Sequence, residues 1–304
     1  MIEIPPGTRV YGTQLPIQTK TSLFVEDWER TAGPTELARL AQTADRAGFF
    51  YVAVCDHIVI PDALVPAMGS HWQDCITTLA WLAPQTEQVN LLSHVYVLPY
   101  RHPLVAAKQF STLDHLSGGR VVVGVGAGHV QAEFEALGVD HAARGRITEE
   151  RLPPLIEALE QEAHDGLQSL PRPVQSPRPP VWVAGSSPAA IRRAATYGDG
   201  WLPQGPSDPA MVERLQAVRA RHGRAEVPFA IGHITPPVYV GTPGFDVAEG
   251  VLTGSAASIA ERILEGTAAG VNQLQVRFRA RSCDEYCAQM EAFAAEVSPA
   301  LVTI

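Results

Sequence analysis

Basic residues are scarce in this chain: 23 Lys and Arg stand against 32 Asp and Glu, a net charge of −9 over 304 residues. That balance argues against nucleic acid or an anionic membrane surface as partner, because both repel a negative surface. No apolar run approaches the length of about 18 residues that a membrane-spanning helix needs. The opening MIEIPPGTRV lacks a basic stretch followed by an apolar one, so no secretory leader is expected. Cysteine is also sparse. Of Cys55, Cys75, Cys283 and Cys287 only the last two are close, and their spacing suits one helical face rather than a metal knuckle. Cys55 and Cys75 fall in apolar runs, where a buried reduced thiol is the ordinary state. These absences lead to the expectation of a cytoplasmic protein without a metal centre.

What the chain has is alternation, and enough apolar residues (46%) for a large core. Strand-length apolar runs occur at 10–18, 51–55, 89–97, 120–125, 181–184, 200–202, 229–240 and 272–278. Between them, helical patterns occupy 35–47, 74–86, 103–116, 146–162, 188–196, 209–222, 256–269 and 284–296. Strands that alternate with helices run parallel through right-handed crossovers, and eight such units fit a closed (β/α)8 TIM barrel better than an open sheet. The expected organisation is one barrel domain over residues 1–304, with a connection at 164–180 whose five prolines keep it out of the core elements.

In such a barrel the site lies at the carboxyl ends of the strands. That rule selects residues 14–18, 56–57, 93–98, 126–129, 185–187 and 203–204, the surroundings of His233, and 277–279. Asp56 and His57 close the apolar run YVAV-C, where burial gives way to loop. One reading is a capping Asp and a solvated His; the other is a hydrogen-bonding Asp beside a His that moves a proton near neutral pH. Neighbours in a strand face opposite ways, so both reach one ligand only if the strand ends at Asp56.

The stretch GGRVVVGVGAGHVQAEFEAL, residues 118–137, reads as a buried strand, a glycine turn and a helix. The amides of Gly126, Ala127 and Gly128 can converge on an anion at that helix start, although tight strand–helix packing alone would also favour glycine. Its G-x-G-x-G pattern, after the fourth strand rather than the first, speaks against a dinucleotide fingerprint. Gly185, Ser186 and Ser187, just before Pro188 starts a helix, make a second cradle, so one phosphate can be held from two sides. Ser93 and His94 interrupt an apolar run; they are either satisfied core polar groups or a bulged strand end backing a planar ring. Arg101 suits an acid group or a surface ion pair, and Glu133 reads as structural with Arg144 and Arg146 as its partners. Trp28, His71 and Trp72 are placed on loops at the barrel mouth.

Together these residues resemble the luciferase-like family of flavin- and deazaflavin-dependent oxidoreductases. The resemblance is carried by LARLAQTADRAGFFYVAVCDH (37–57), LPYRHPLVAAKQFSTLDHLSGGRVVVGVGAGHVQAEFEALG (98–138), PPVWVAGSSPAAIRRAATYGDGWLP (179–203) and AAGVNQLQVRF (268–278). It implies a barrel, a homodimer and a cofactor ring over the strand ends. The Asp-His pair resembles the branch that uses coenzyme F420, in which the Asp contacts the ring and the His, here His57, donates or accepts a proton. Asp56, Ser93 and His94 would then border the ring, with a non-prolyl cis peptide at Ser93-His94. Gly126, Ala127, Gly128, Gly185, Ser186 and Ser187 would hold the phosphate.

Sugar-phosphate dehydrogenases of that branch carry a catalytic Glu where this chain has His129, so His129 becomes the second candidate catalytic residue and sugar-phosphate oxidation is disfavoured. Relatives insert a long segment with a short hairpin before the fifth strand, whereas residues 163–180 read as short and proline-rich, which implies a more open pocket. The function implied is F420-dependent hydride transfer to a small organic substrate, with reduction favoured. The alternatives are a reduced-FMN monooxygenase and a non-catalytic flavin-binding relative. The loops 22–33, 61–73 and 241–255 are expected to shape the substrate pocket.

Overall fold

Each apolar run contributes one barrel strand in the computed structural model, which describes residues 1–20, 25–164 and 167–303. The strands are β1 (Val10–Gln14), β2 (Tyr51–Val54), β3 (Asn90–Ser93), β4 (Val121–Gly126), β5 (Val181–Ala184), β6 (Gly200–Leu202), β7 (Ala230–Ile234) and β8 (Gln273–Gln275). Every pair in the cycle is parallel: β1 lies beside β2 (Gly12↔Tyr51), β3 pairs with β4 (Leu91↔Val121), β4 with β5 (Val125↔Val183), and β8 returns to β1 (Val10↔Gln273). The sheet therefore closes on itself as an eight-stranded (β/α)8 barrel, and no edge of it is left open.

The strand residues explain the closure. β4 reads VVVGVG and is buried throughout, as a strand covered by helices outside and side chains inside must be. Tyr51, Leu92, Val122, Trp182, Leu202 and Ala230 pack together inside the barrel. Glycine makes room for the two largest of these rings. A methyl group on Gly12 or Gly200 would lie 2.5 Å from the ring of Tyr51 or Trp182 respectively.

Among the described residues eight helices of eight or more residues wrap the barrel: α1 (Pro34–Arg46), α2 (Cys75–Leu82), α3 (Pro103–Ser117), α4 (Arg144–Glu160), α5 (Pro188–Tyr197), α6 (Pro209–Arg221), α7 (Ala256–Gly266) and α8 (Cys283–Ala292). α1 buries Leu37, Leu40, Ala41 and Ala44 along one stripe, as the sequence spacing requires. α2, α5, α6, α7 and α8 each start from an Asp or Ser side chain that accepts a first-turn N–H. Because each helix follows a strand, these capped N-termini gather at the mouth where the strands end, and their dipoles favour negative charge there.

Two expectations change. The run at 89–97 is not one strand: β3 stops at Ser93, the His94–Val95 peptide is cis, and Tyr96–Val97 resumes pairing beside β4. The cis bond thus falls one peptide after Ser93-His94. The second correction concerns 163–180, which does begin with a short antiparallel hairpin, Ala163–His164 with Leu167–Gln168. Two-residue strands show no alternation to read, and the Asp165-Gly166 dipeptide was the only available signal. Further on, buried Gln175 donates from Nε2 to Asp114 Oδ1 and Val121 O, both at 2.8 Å. The proline-rich connection is thereby tied to the barrel. Among the described residues no helix is long and apolar enough to cross a membrane.

Candidate active site

The glycine turn after β4 is built by close approach. Ser93 Oγ donates to Gly124 O at 2.8 Å and accepts from Gly124 N at 2.9 Å. A side chain at Gly126 would meet Val95 Cγ2 at 2.6 Å, and one at Gly128 (φ +74°) would meet Val97 Cγ1 at 2.7 Å. The packing reason for glycine is therefore real. It coexists with a second property: beyond Gly126, the N–H groups of Ala127, Gly128 and His129 find no acceptor among the described residues.

The neighbouring strand end presents the same feature. Gly185 (φ +122°) donates to Leu202 O at 2.9 Å, while the N–H groups of Ser186 and Ser187 are unengaged. Ser187 Oγ caps α5 by accepting from Ala190 N at 3.2 Å, and Ser186 Oγ accepts from Gln204 N at 2.9 Å. Since β4 and β5 are adjacent, the two segments lie side by side; the methyl group that Gly126 lacks would be 3.8 Å from Ala184 Cβ. Free amides from two loops and a helix N-terminus fit a phosphate.

β2 ends at Val54, so Asp56 and His57 both lie beyond the strand. Their side chains take different partners. The buried Asp56 carboxylate accepts from Val97 N at 2.8 Å and from both terminal nitrogens of Arg101, the Nη2 bond measuring 2.8 Å. Arg101 also stacks over the Tyr96 ring, 4.3 Å from its centroid. Arg101 is thus half of a buried pair rather than a surface ion pair, and the Asp56 carboxylate is engaged by the protein itself.

His57, with an 11% exposed side chain, lies with Nδ1 3.0 Å from Glu133 Oε2. Its ring packs edge-on against Trp72 (centroids 4.4 Å apart) and His129 (5.5 Å). Glu133 also accepts from Ile58 N, from Val59 N at 3.3 Å and from the Tyr100 hydroxyl at 2.8 Å. Burial alone would raise the Glu133 carboxyl, but the bonds from His57, Ile58 and Tyr100 outweigh it and hold its pKa below the usual carboxylate value. His129 is exposed at the mouth; desolvation first, then the neighbouring His57, lowers its pKa.

Glu133 is the residue that sequence reasoning misplaced. Arg144 instead donates to His141 O and Arg146 to Glu150. The one available signal was position: Glu133 lies in the short helix Gln131–Ala136 directly after the glycine turn, at the end of the barrel where site residues gather. Of the loop residues, only Trp72 reaches this cluster. Trp28 donates to Ala280 O and packs on Tyr286, and His71 is exposed. His233 is buried beside Ser207. Residues 22–24 of the first substrate loop lie outside the described residues. Among the described residues no group of His, Cys, Asp and Glu is arranged to hold a metal ion.

His94 carries a pH prediction. Desolvation pushes its imidazole down from 6.5 to about 4. The unfolded chain then binds the extra proton between those values, so stability is fully present above pH 6.5 and falls as pH drops toward 4, by up to about 3 kcal/mol from this group. Urea unfolding of His94→Leu is expected to show a shallower loss over that window; an unchanged slope contradicts this assignment.

A family model described as luciferase-like monooxygenase matches residues 17–243. An uncharacterized protein of Sinorhizobium fredii, y4wF, is 33% identical over 195 residues, covering 60% of this chain and 54% of that protein. The chain thus spans about half the length of that relative. The F420-dependent tetrahydromethanopterin reductase of Methanopyrus kandleri superposes with a TM-score of 0.68 at 19% identity, over 96% of this chain and 99% of that one. The FMN-bound oxygenating constituent of 3,6-diketocamphane monooxygenase from Pseudomonas putida superposes with a TM-score of 0.69 at 17% identity, over 94% and 99%. At such identities the likeness is one of fold, shared equally by a deazaflavin and a flavin enzyme.

Proposed function

Because the chain belongs to the luciferase-like monooxygenase family, we propose that it is a coenzyme F420-dependent oxidoreductase. In this reading it moves a hydride between the deazaflavin and a small organic substrate, with reduction of an unsaturated or carbonyl compound the favoured direction. The observation that carries the reading is the pairing of two amide-lined strand ends, at Ala127-Gly128 and Ser186-Ser187, with an imidazole bonded to a carboxylate at the same mouth.

The cofactor supplies the hydride chemistry; the protein supplies binding, orientation and the proton. The amides of Ala127, Gly128, Ser186 and Ser187 hold the phosphate, and the α5 dipole adds to their attraction. Gly126 and Gly185 keep side chains out of that space, while Ser93 and His94 border the ring. Asp56 serves the site indirectly, by fixing Val97 and Arg101. His57 delivers or removes the proton, and His129 stands beside it as the second titratable group. The working unit in this reading is a cytoplasmic homodimer. Leu104 on α3 and Leu167 and Leu170 of the proline-rich connection expose apolar side chains around one surface pocket, which favours cover by a second copy.

Absorbance titration with F420 and, separately, with FMN tests the cofactor. Saturable binding of F420 is expected. Tight binding of FMN with none of the deazaflavin overturns the reading in favour of a reduced-FMN monooxygenase.

A further inference from the structure

An ionised carboxylate has only acceptor sites, about four in all. Glu133, fully buried, faces four donors. Oε1 takes the N–H groups of Ile58 and Val59; Oε2 takes the Tyr100 hydroxyl and meets His57 Nδ1. None of these groups leaves Glu133 a reason to carry a proton, and the carboxyl is held in its ionised form. Opposite an acceptor-only oxygen, His57 Nδ1 can only donate. Its ring then has one free nitrogen, Nε2, which has no hydrogen-bond partner among the described residues.

We propose that Glu133 is a positioning residue that locks His57 as the Nδ1–H tautomer, so that Nε2 is the nitrogen that exchanges protons with the substrate. The lock itself stands on the geometry; its use in turnover rests on the hydride-transfer reading above. In reduction, the His57 imidazolium gives its Nε2 proton to the substrate and keeps Nδ1–H on Glu133. In oxidation, the neutral ring takes the substrate proton at Nε2. In both directions the imidazolium, the starting form in reduction and the product form in oxidation, faces the Glu133 carboxylate, which stabilises it.

The same contacts could merely brace the 57–59 loop, so the test must read the tautomer. In nitrogen-15 spectra of histidine-labelled protein, His57 is assigned by the signal missing from His57→Asn. In the neutral ring the wild type is expected to show a protonated Nδ1 and a bare Nε2. Glu133→Gln is expected to invert this. Its amide oxygen remains opposite Ile58 and Val59, its NH2 faces His57, and Nδ1 must become the acceptor. A wild-type ring with the proton on Nε2 overturns the proposal, as does a folded Glu133→Gln protein that keeps Nδ1–H. If Glu133→Gln does not fold, Tyr100→Phe decides together with the wild type. It removes a different donor from Oε2 and is expected to keep Nδ1–H, so inversion there overturns the lock. Failure of F420 to bind overturns the cofactor reading and leaves the tautomer result as it is.

Discussion

Asp56→Ala is expected to cost about 3–5 kcal/mol of folding stability, the range for removing one partner of a buried ion pair. The loss has two sources. Arg101 keeps its charge but loses both bonds to the carboxylate while its side chain remains only 15% exposed. The Val97 N–H, which donates to Asp56 Oδ2 at 2.8 Å, is left without an acceptor in the interior. Stacking of the guanidinium on Tyr96 survives and returns about 1–2 kcal/mol at most. Arg101→Met added to Asp56→Ala removes the stranded charge and is expected to recover part of the loss, because the two residues are energetically coupled. Urea unfolding of the two single variants and the double variant measures this. An Asp56→Ala protein as stable as the wild type would show that the carboxylate is not a structural tie.

Gly124→Ala is expected to destabilise by about 3 kcal/mol, at the upper end for overpacking. The added methyl group would lie 1.9 Å from the Ser93 carbonyl oxygen and 3.0 Å from Leu92 Cδ1. The first is a backbone atom of the adjoining strand, which cannot rotate aside as a side chain does. β3 and β4 must separate, straining the two Ser93–Gly124 hydrogen bonds, each contributing about 1 kcal/mol. Gly266→Ala is the matching control, since its methyl group meets nothing within 4 Å. Thermal unfolding is expected to place Gly266→Ala near the wild type and Gly124→Ala well below it. Equal midpoints for Gly124→Ala and the wild type contradict the close approach of the two strands.

These two residues also show where the sequence could be read and where it could not. The barrel was legible because it rests on local periodicity. Runs such as VVVGVG, and stripes such as Leu37, Leu40, Ala41 and Ala44, report burial directly. Helix starts were legible too, since Ser187-Pro188 is a cap followed by proline. The glycine turn was half legible. Its spacing suggested an anion cradle, but Gly124 and Gly126 answer mainly to Ser93 and Val95, partners on another strand.

The remaining features depend on pairs that only the closed barrel brings together. Glu133 meets His57 across 76 positions and Tyr100 across 33; Arg101 meets Asp56 across 45. Local charge offered Arg144 and Arg146 to Glu133 instead, and nothing in the period of either segment could reject them. The break after Ser93 had a visible cue, two polar residues in an apolar run. Those same residues would equally suit a satisfied core position, so spacing alone left the choice open.

In the proposed function the strand ends after β4 and β5 hold the phosphate of a deazaflavin whose ring lies by His57. A crystal structure of the protein with F420 bound tests it most directly. A phosphate is expected within hydrogen-bonding distance of the Ala127, Gly128, Ser186 and Ser187 amides, with the ring beside His57 and the Ser93–Val97 segment. A phosphate seated away from both glycine turns, or a ring out of reach of His57, would contradict it.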